Sequence, residues 1–381
     1  MTPTNGFRLR NARVVLENDV VHGCVEIENG QIVSVSESDN STGIDLAGDY
    51  LLPGLIELHT DHLETHYGPR PGVRWNPLAA IQAHDAQIAT AGITTVLDCL
   101  RMGIDDTSGY ETGEMQALAG HLDNAGRQGR LRADHKLHLR CEVSSIDVLD
   151  DCEGFSDNEN IMLVSLMDHA PGQRQFSDLE VFEKYHREKK GMDKETFKAF
   201  SSRRLELSLQ YSDKHRQVIS DMCKSRNIAL ASHDDATIEH VADAIRLGIH
   251  ISEFPTTVEA AKASHEQGMR ILMGAPNVVR GQSHSGNVGA RELARLGTLD
   301  VLSSDYVPAS LLHAAFVLAI EEGAMPLHDA VALITCNPAR AIGFEDRGVI
   351  AEGYRADLIH VRYEDNVPTV KCVWREGVRV A

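Results

Sequence analysis

The chain has 381 residues, of which 42% are hydrophobic and 24% charged, close to the globular average and unlike a disordered or fibrous chain. Its 56 acidic and 37 basic side chains give a formal net charge of −19, which opposes attraction to polyanions and argues against a non-specific nucleic-acid or anionic-membrane role. A length of this order accommodates one (β/α) barrel of roughly 250 residues plus a small satellite domain.

In chain order, residues 7–37 read as short strands broken by an Asn-Gly turn at Asn29 and Gly30, the signature of a hairpin. Then come runs of strand length, TTVLDCL, LHLRCEV, IMLVSLMDH, NIALASH, HISEF, RILMGAP and DVLSSD. Helical stretches lie between them at 76–90, 196–225 and 308–322, the rhythm of a parallel barrel or a doubly wound sheet. The stretch from Gly172 to Lys194 is polar and reads as a long loop and helix. The β grammar returns in GVIAEGYRADLIHVR and TVKCVWREGVRVA.

The barrel is favoured because several strands end in His, Asp or Glu, and a barrel gathers its strand C-termini into one site. The expected fold is therefore α/β, a (β/α)8 TIM-like barrel over residues 51–344. Residues 1–50 and 345–381 are expected to pair as a small composite β-sandwich.

Seven cysteines are spread along the chain with no CxxC pair, as expected for reduced thiols in cytoplasm. The polar start has no signal-peptide apolar core, and no run approaches the ~18 apolar residues of a membrane span. The expectation is a cytoplasmic protein that neither enters a membrane nor binds nucleic acid.

The candidate chemistry begins in LPGLIELHTDHLETH. Alternation along a strand through Leu55–Asp61 puts His59 and Asp61 on one face and His62 on the other. Other strand ends supply Glu142, His169, His233 and Asp305. Each alone has a plain explanation as a helix cap or turn residue. Together, acids and histidines at five strand ends form a metal-ligand set. Two histidines with carboxylates favour zinc, and a carboxylate-rich set leaves manganese or magnesium open.

These residues carry a resemblance. A β segment leading into PGLIELHTD, a bridging acid, two separate histidines, a final Asp in SSD and the returning GVIAEGYRADLIHV resemble the amidohydrolase superfamily of metal-dependent barrels over nearly the whole chain. HTDHLETHYGPRPGVRW, AHDAQIATAGITTVLD and above all GAPNVVRGQSHSGNVGA resemble its phosphonate-metabolism branch, the α-D-ribose 1-methylphosphonate 5-triphosphate diphosphatases.

The resemblance implies that His59, Asp61, Glu142, His169, His233 and Asp305 hold one or two divalent ions, with Glu142 bridging and Asp305 also the general base. Asp61 departs from the superfamily's commoner His-x-His, as the phosphonate branch itself does. Extra ligand or supporting roles for His62 and His66 stay open. The implied reaction is hydrolysis of the ribose methylphosphonate triphosphate to 5-phospho-α-D-ribose 1-methylphosphonate and pyrophosphate.

The partner is then a small-molecule triphosphate, and assembly into homo-oligomers is left open. Gripping such a tail requires cations, and the candidates are Arg70, Arg74, Arg101, Arg174, Arg280 and His284. Arg140 reads equally as an ion-pair partner of Glu142. Arg280 is preferred because Gly281, Ser283, Ser285 and Gly286 let backbone N–H groups approach phosphate oxygens. The rival reading is C–N hydrolysis by an amidohydrolase or deaminase on a cyclic amide or purine-like base. A non-catalytic binding protein is a third reading, which would require lost site residues.

Overall fold

The structure is a computed structural model that describes residues 6–37, 42–103, 110, 113–171, 193–283 and 286–381. Residue Arg174 and the rest of the 172–192 stretch lie outside the described residues, as does His284.

Strands β1 (Phe7–Val15), β2 (Val20–Glu28), β3 (Gln31–Ser36), β4 (Ile44–Asp45) and β5 (Tyr50–Pro53) open the chain. The β2–β3 connection has Asn29 at φ 50° and Gly30 at φ 81°, the two positive φ values that a two-residue hairpin turn of this hand demands.

The second sheet is parallel, with β6 (Leu55–Thr60), β7 (Ile93–Met102), β8 (Asp134–Glu142), β9 (Ile161–Met167), β10 (Ala229–His233), β11 (Ile251–Glu253), β12 (Arg270–Gly274) and β13 (Val301–Ser303) in sequential order. A parallel bridge between Thr60 and Asp305 joins its two edges, so this is a (β/α)8 barrel. Strands β6, β10, β11 and β13 are buried along their whole length, which explains their apolar runs: both faces of a parallel sheet are covered. Gly54 enters β6 where a β-carbon would collide with the Thr94 side chain on β7, so this position admits no larger residue.

The helices that bear on the site are α1 (His62–Tyr67), α2 (Pro77–Thr90) and α3 (Lys194–Arg226). Asn76 caps α2 by accepting from Ala79 N–H at 3.1 Å, with Pro77 at its first position. The expected helix over 308–322 is α-helical from Ser310 to Phe316 and then widens into a π-turn over Val317–Glu321.

Strands β14 (Leu358–Glu364), β15 (Val367–Arg375) and β16 (Val378–Arg379) end the chain and join β1–β5 in one eight-stranded sheet, through antiparallel pairing of β14 with β5. Its core packs Leu9, Val25, Ile27, Leu51, Leu358 and Trp374.

By contacts the chain divides into two compact units. One is Met1–Asp98 with Gly120–Leu137 and Met273–Ala381; the other is Cys99–Ala119 with His138–Leu272. All seven cysteines are buried and none is in a disulfide. Among the described residues no helix is long and apolar enough to cross a membrane.

Candidate metal centre

In the first unit the ends of β6 and β13 meet. Asp305 N–H donates to His59 O and Asp61 N–H to Asp305 O, both at 3.1 Å. One ligand atom from each of His59, Asp61 and Asp305 lies within 4.8 Å of the other two, the pairing expected from strand alternation. Asp305 has φ +53°, a left-handed conformation that is strained for a residue with a side chain and that clusters at functional sites.

Beneath this group sits Glu57, fully buried, which accepts from His59 N–H at 2.7 Å and Ser304 N–H at 2.6 Å. Burial pushes its carboxyl up to about 7 against those hydrogen bonds. His62 Nε2 lies 2.6 Å from Tyr306 O, and His66 Nε2 lies 3.0 Å from Gln87 Oε1, so both have partners away from the ligand group.

In the second unit Glu142 ends β8, His169 follows β9 and His233 ends β10. His169 Nδ1 bonds Glu142 Oε2 at 2.6 Å, while Ser144 Oγ and His169 N–H donate to Oε1 at 2.6 and 3.1 Å. Burial alone would push Glu142 up. The charge of His169, its hydrogen bond, Arg204 and Ser144 outweigh burial and hold the carboxyl at about 2.

His233 Nδ1 lies 2.8 Å from the buried carboxylate of Glu253, which fixes the ring, and Nε2 on its other side lies 3.4 Å from Asp234 Oδ2. Among the described residues that Asp234 oxygen is buried and accepts no hydrogen bond. A ligand atom from each of His169, His233 and Asp234 lies within 4.8 Å of the others. An orphaned carboxylate oxygen beside two imidazoles fits a divalent cation, and a donor set of nitrogen and oxygen suits zinc or manganese better than a thiophilic metal. Asp234 and Phe254, at the ends of β10 and β11, have φ +57° and +54°, the same local strain as Asp305.

The pattern of the amidohydrolase family matches residues 229–381. The α-D-ribose 1-methylphosphonate 5-triphosphate diphosphatase of Escherichia coli strain K12 is 47% identical over 375 residues, covering 98% of this chain and 99% of that protein. The chain belongs to the amidohydrolase superfamily, in the family of that diphosphatase. An imidazolonepropionase of Streptomyces coelicolor is 25% identical over 97% of this chain and 92% of that protein. The N-acetylglucosamine-6-phosphate deacetylase of Pasteurella multocida superposes with a TM-score of 0.64 at 14% identity, over 98% of this chain and 99% of that one, and shares the fold. The superfamily is metal-dependent, and the two ligand groups above are this member's His and Asp candidates for the metal.

The cations expected to grip phosphate are scattered in environment. Arg70, Arg74 and Arg280 are exposed, with Arg74 lying 5.8 Å from the Tyr67 ring and Arg280 ending a short helix, Ala275–Arg280. Arg101, near the end of β7, is half-buried. Arg140 shares with Glu142 the same face of β8 by alternation and is 9% exposed.

Sequence reasoning missed Glu57, Asp234, Glu253, Asp168 and Arg204. The first four carried a signal: each is an acid within two residues of a chosen ligand or at the end of a recognised strand.

A further buried group in the first unit lies among α2, β7 and β8. His84 Nε2 and His135 Nδ1 lie 2.6 and 2.7 Å from the two oxygens of Asp98, and His135 Nε2 lies 3.3 Å from Asp85. Asp85 also accepts from Arg132 and Ala133 N–H groups. Burial pushes His135 down, but Asp98 and Asp85 raise it to about 9. Asp98, pushed up by burial, is held well below the usual carboxylate range by His135 and His84. Both His135 nitrogens are engaged within this cluster, while the buried His84 Nδ1 has no hydrogen-bond partner among the described residues.

Proposed function

We propose that the protein hydrolyses α-D-ribose 1-methylphosphonate 5-triphosphate to 5-phospho-α-D-ribose 1-methylphosphonate and pyrophosphate, in phosphonate degradation. The observation that carries this reading is identity of 47% along 98% of the chain with a diphosphatase of that name.

His59, Asp61, Glu142, His169, His233 and Asp305 would hold one or two divalent ions, zinc by preference, with Asp234 joining the two histidines. When bound, such a cation supplies Lewis acidity and brings the pKa of a coordinated water toward ~7. The chain's own part is to orient and to move protons. Glu253 holds the His233 ring through Nδ1, and Glu57 holds the backbone of His59 and Ser304. The Asp305 carboxylate, half-buried on a strained turn, accepts the proton of the attacking water. Arg101 and Arg280 contribute charge toward the phosphate tail, and their bidentate geometry matches phosphate oxygens.

The test is a coupled pyrophosphate-release assay on the triphosphate, run beside a ring-opening assay by ultraviolet absorbance on cyclic amides and an ammonia-release assay on purine-like bases, with metal content measured on protein purified without added metal. Pyrophosphate release that falls with chelation and returns with zinc or manganese is expected. Ring opening or ammonia release without pyrophosphate release would replace this reading with C–N hydrolysis.

A further inference from the structure

The chain carries a net charge of −19, yet one cavity of the first unit is lined by four arginines and a single acid. The cavity has a volume of about 670 Å³. It lies among Gln82 of α2, residues 129–132 that lead into the amino end of β8, and the β15–β16 hairpin. Arg130, Arg132, Arg375 and Arg379 supply positive charge, and Leu131, Val378 and Val380 an apolar wall. None of these residues belongs to the strand-end ligand groups described above.

Both walls are fixed by their backbones. The helix Glu114–Arg127 closes with Gly129 at φ +65°, where Gly129 N–H donates to Gly126 O at 2.9 Å and Arg130 N–H to Ala125 O at 3.0 Å. Two residues on, Arg132 is tied to the buried Asp85, its backbone N–H to Oδ1 at 2.7 Å and its Nη1 to Oδ2 at 2.9 Å. On the other wall Glu376 and Gly377 turn the hairpin with φ +49° and +70°, and Gly377 N–H donates to Ala356 O at 2.9 Å. The arginines therefore project from a settled backbone, which lowers the ordering cost of holding a ligand.

The chain does not neutralise this charge. Among the described residues the guanidinium groups of Arg130 and Arg375 meet no carboxylate. Asp85 takes one of the five guanidinium donors of Arg132, whose side chain is 44% exposed, and is shared with His135 and the Ala133 N–H. Glu376, the acid of the lining, lies 3.6 Å from Arg355, outside the cavity. Arg379 Nε donates to Ala381 O at 3.3 Å, which makes Arg379 the least available of the four. Like charges gathered on one concave surface repel, and an anion seated among them removes that repulsion. Guanidinium forks match phosphate oxygens, and a cavity of this size suits a small molecule.

We propose that this cavity is a binding site for a small molecule that carries a diphosphate group, with Arg130, Arg132 and Arg375 as its cations. Two adjacent phosphoryl groups present enough oxygens to engage guanidinium groups from both walls at once. The apolar wall of Leu131, Val378 and Val380 leaves a place beside them for an uncharged remainder such as a nucleoside. The site is independent of the reaction proposed above.

The experiment is hydrogen–deuterium exchange on the zinc-loaded full chain, alone, with inorganic pyrophosphate, with ADP and with sulfate at matched ionic strength. Calorimetric titration of wild type and of the double variant Arg130→Ala with Arg375→Ala accompanies it, with melting temperature measured on the same samples. Expected is slowed exchange in residues 129–133 and 375–380 of wild type with pyrophosphate and with ADP. The double variant should lose that protection and bind about 10- to 100-fold more weakly, at unchanged pyrophosphate-release turnover. Pyrophosphate held at the strand ends is common to both proteins and cancels in the comparison. Stronger protection by ADP than by pyrophosphate assigns the apolar wall to a nucleoside, and equal protection assigns the whole affinity to the diphosphate. Unaltered exchange in both segments overturns the inference, as does a double variant that binds within twofold of wild type. Equal protection by sulfate also overturns it, since any anion would then serve. Should the double variant not fold, Arg130→Gln with Arg375→Gln is read by the same criteria.

Discussion

The buried His135 links stability to pH in a direction that can be worked out from its neighbours. Its side chain is 1% exposed and lies between Asp98 and Asp85. Those carboxylates raise it from the ordinary 6.5 to about 9 against burial, which alone would lower it. A histidine with a raised folded-state pKa contributes stability that is complete below its unfolded pKa and is lost as pH rises through the folded value. The window is therefore from pH 6.5 to about 9. At 1.36 kcal/mol per pH unit the rise corresponds to roughly 3 kcal/mol.

His135→Asn removes the titrating group and leaves two buried carboxylates short of a cation, a loss of about 3–5 kcal/mol at pH 6. Urea unfolding followed by circular dichroism at pH 6 and pH 9.5 gives the comparison. The wild-type advantage over His135→Asn should be largest at pH 6 and shrink by roughly 3 kcal/mol at pH 9.5. Because both His135 nitrogens are engaged by Asp98 and Asp85, a chelator should leave that difference in place. Parallel pH profiles for the two proteins would falsify the assignment of a shared proton to His135.

Three further outcomes test the site. Asp305→Asn should lower turnover at least ~100-fold with zinc content near wild type, measured by pyrophosphate release and elemental analysis; near-normal turnover removes Asp305 from the role of base. Glu142→Ala should lower metal stoichiometry, because the carboxylate that offsets cationic charge at the His169 end is gone, and unchanged metal content places the bridge elsewhere. Asp168→Ala strips the Ser208 and Ser212 hydroxyls and Arg216 of a shared acceptor beside His169, so zinc affinity in chelator competition should fall about 10- to 100-fold. Unaltered zinc affinity would make the Asp168 clamp a stabilising contact without influence on the ligand.

What the chain reveals in one dimension follows from how far each feature depends on its own neighbours. The barrel strands are legible because burial on both faces forces continuous apolar runs, and the Asn29-Gly30 hairpin because only a turn with two positive φ values joins β2 to β3. The six candidate ligands are legible because a barrel makes position at a strand's carboxyl end equivalent to position near the site. Asp234 is less so: it adjoins His233, and its role depends on φ +57° turning its carboxylate toward the imidazoles.

Arg204 is the opposite case, since it lies at the eleventh position of a 33-residue helix rich in charged residues, and no local signal separates it from Arg203 beside it. What separates them is the four-residue stripe through Ser208, Ser212 and Arg216, and that stripe acquires meaning once Asp168 and Glu142 are known to lie against it. Arg280 stands apart from it: a Gly- and Ser-rich setting favours it in the sequence, and its exposure leaves its field more screened by solvent than that of a buried guanidinium. Loop composition identifies where a phosphate can be approached, and burial decides which cation holds it strongly.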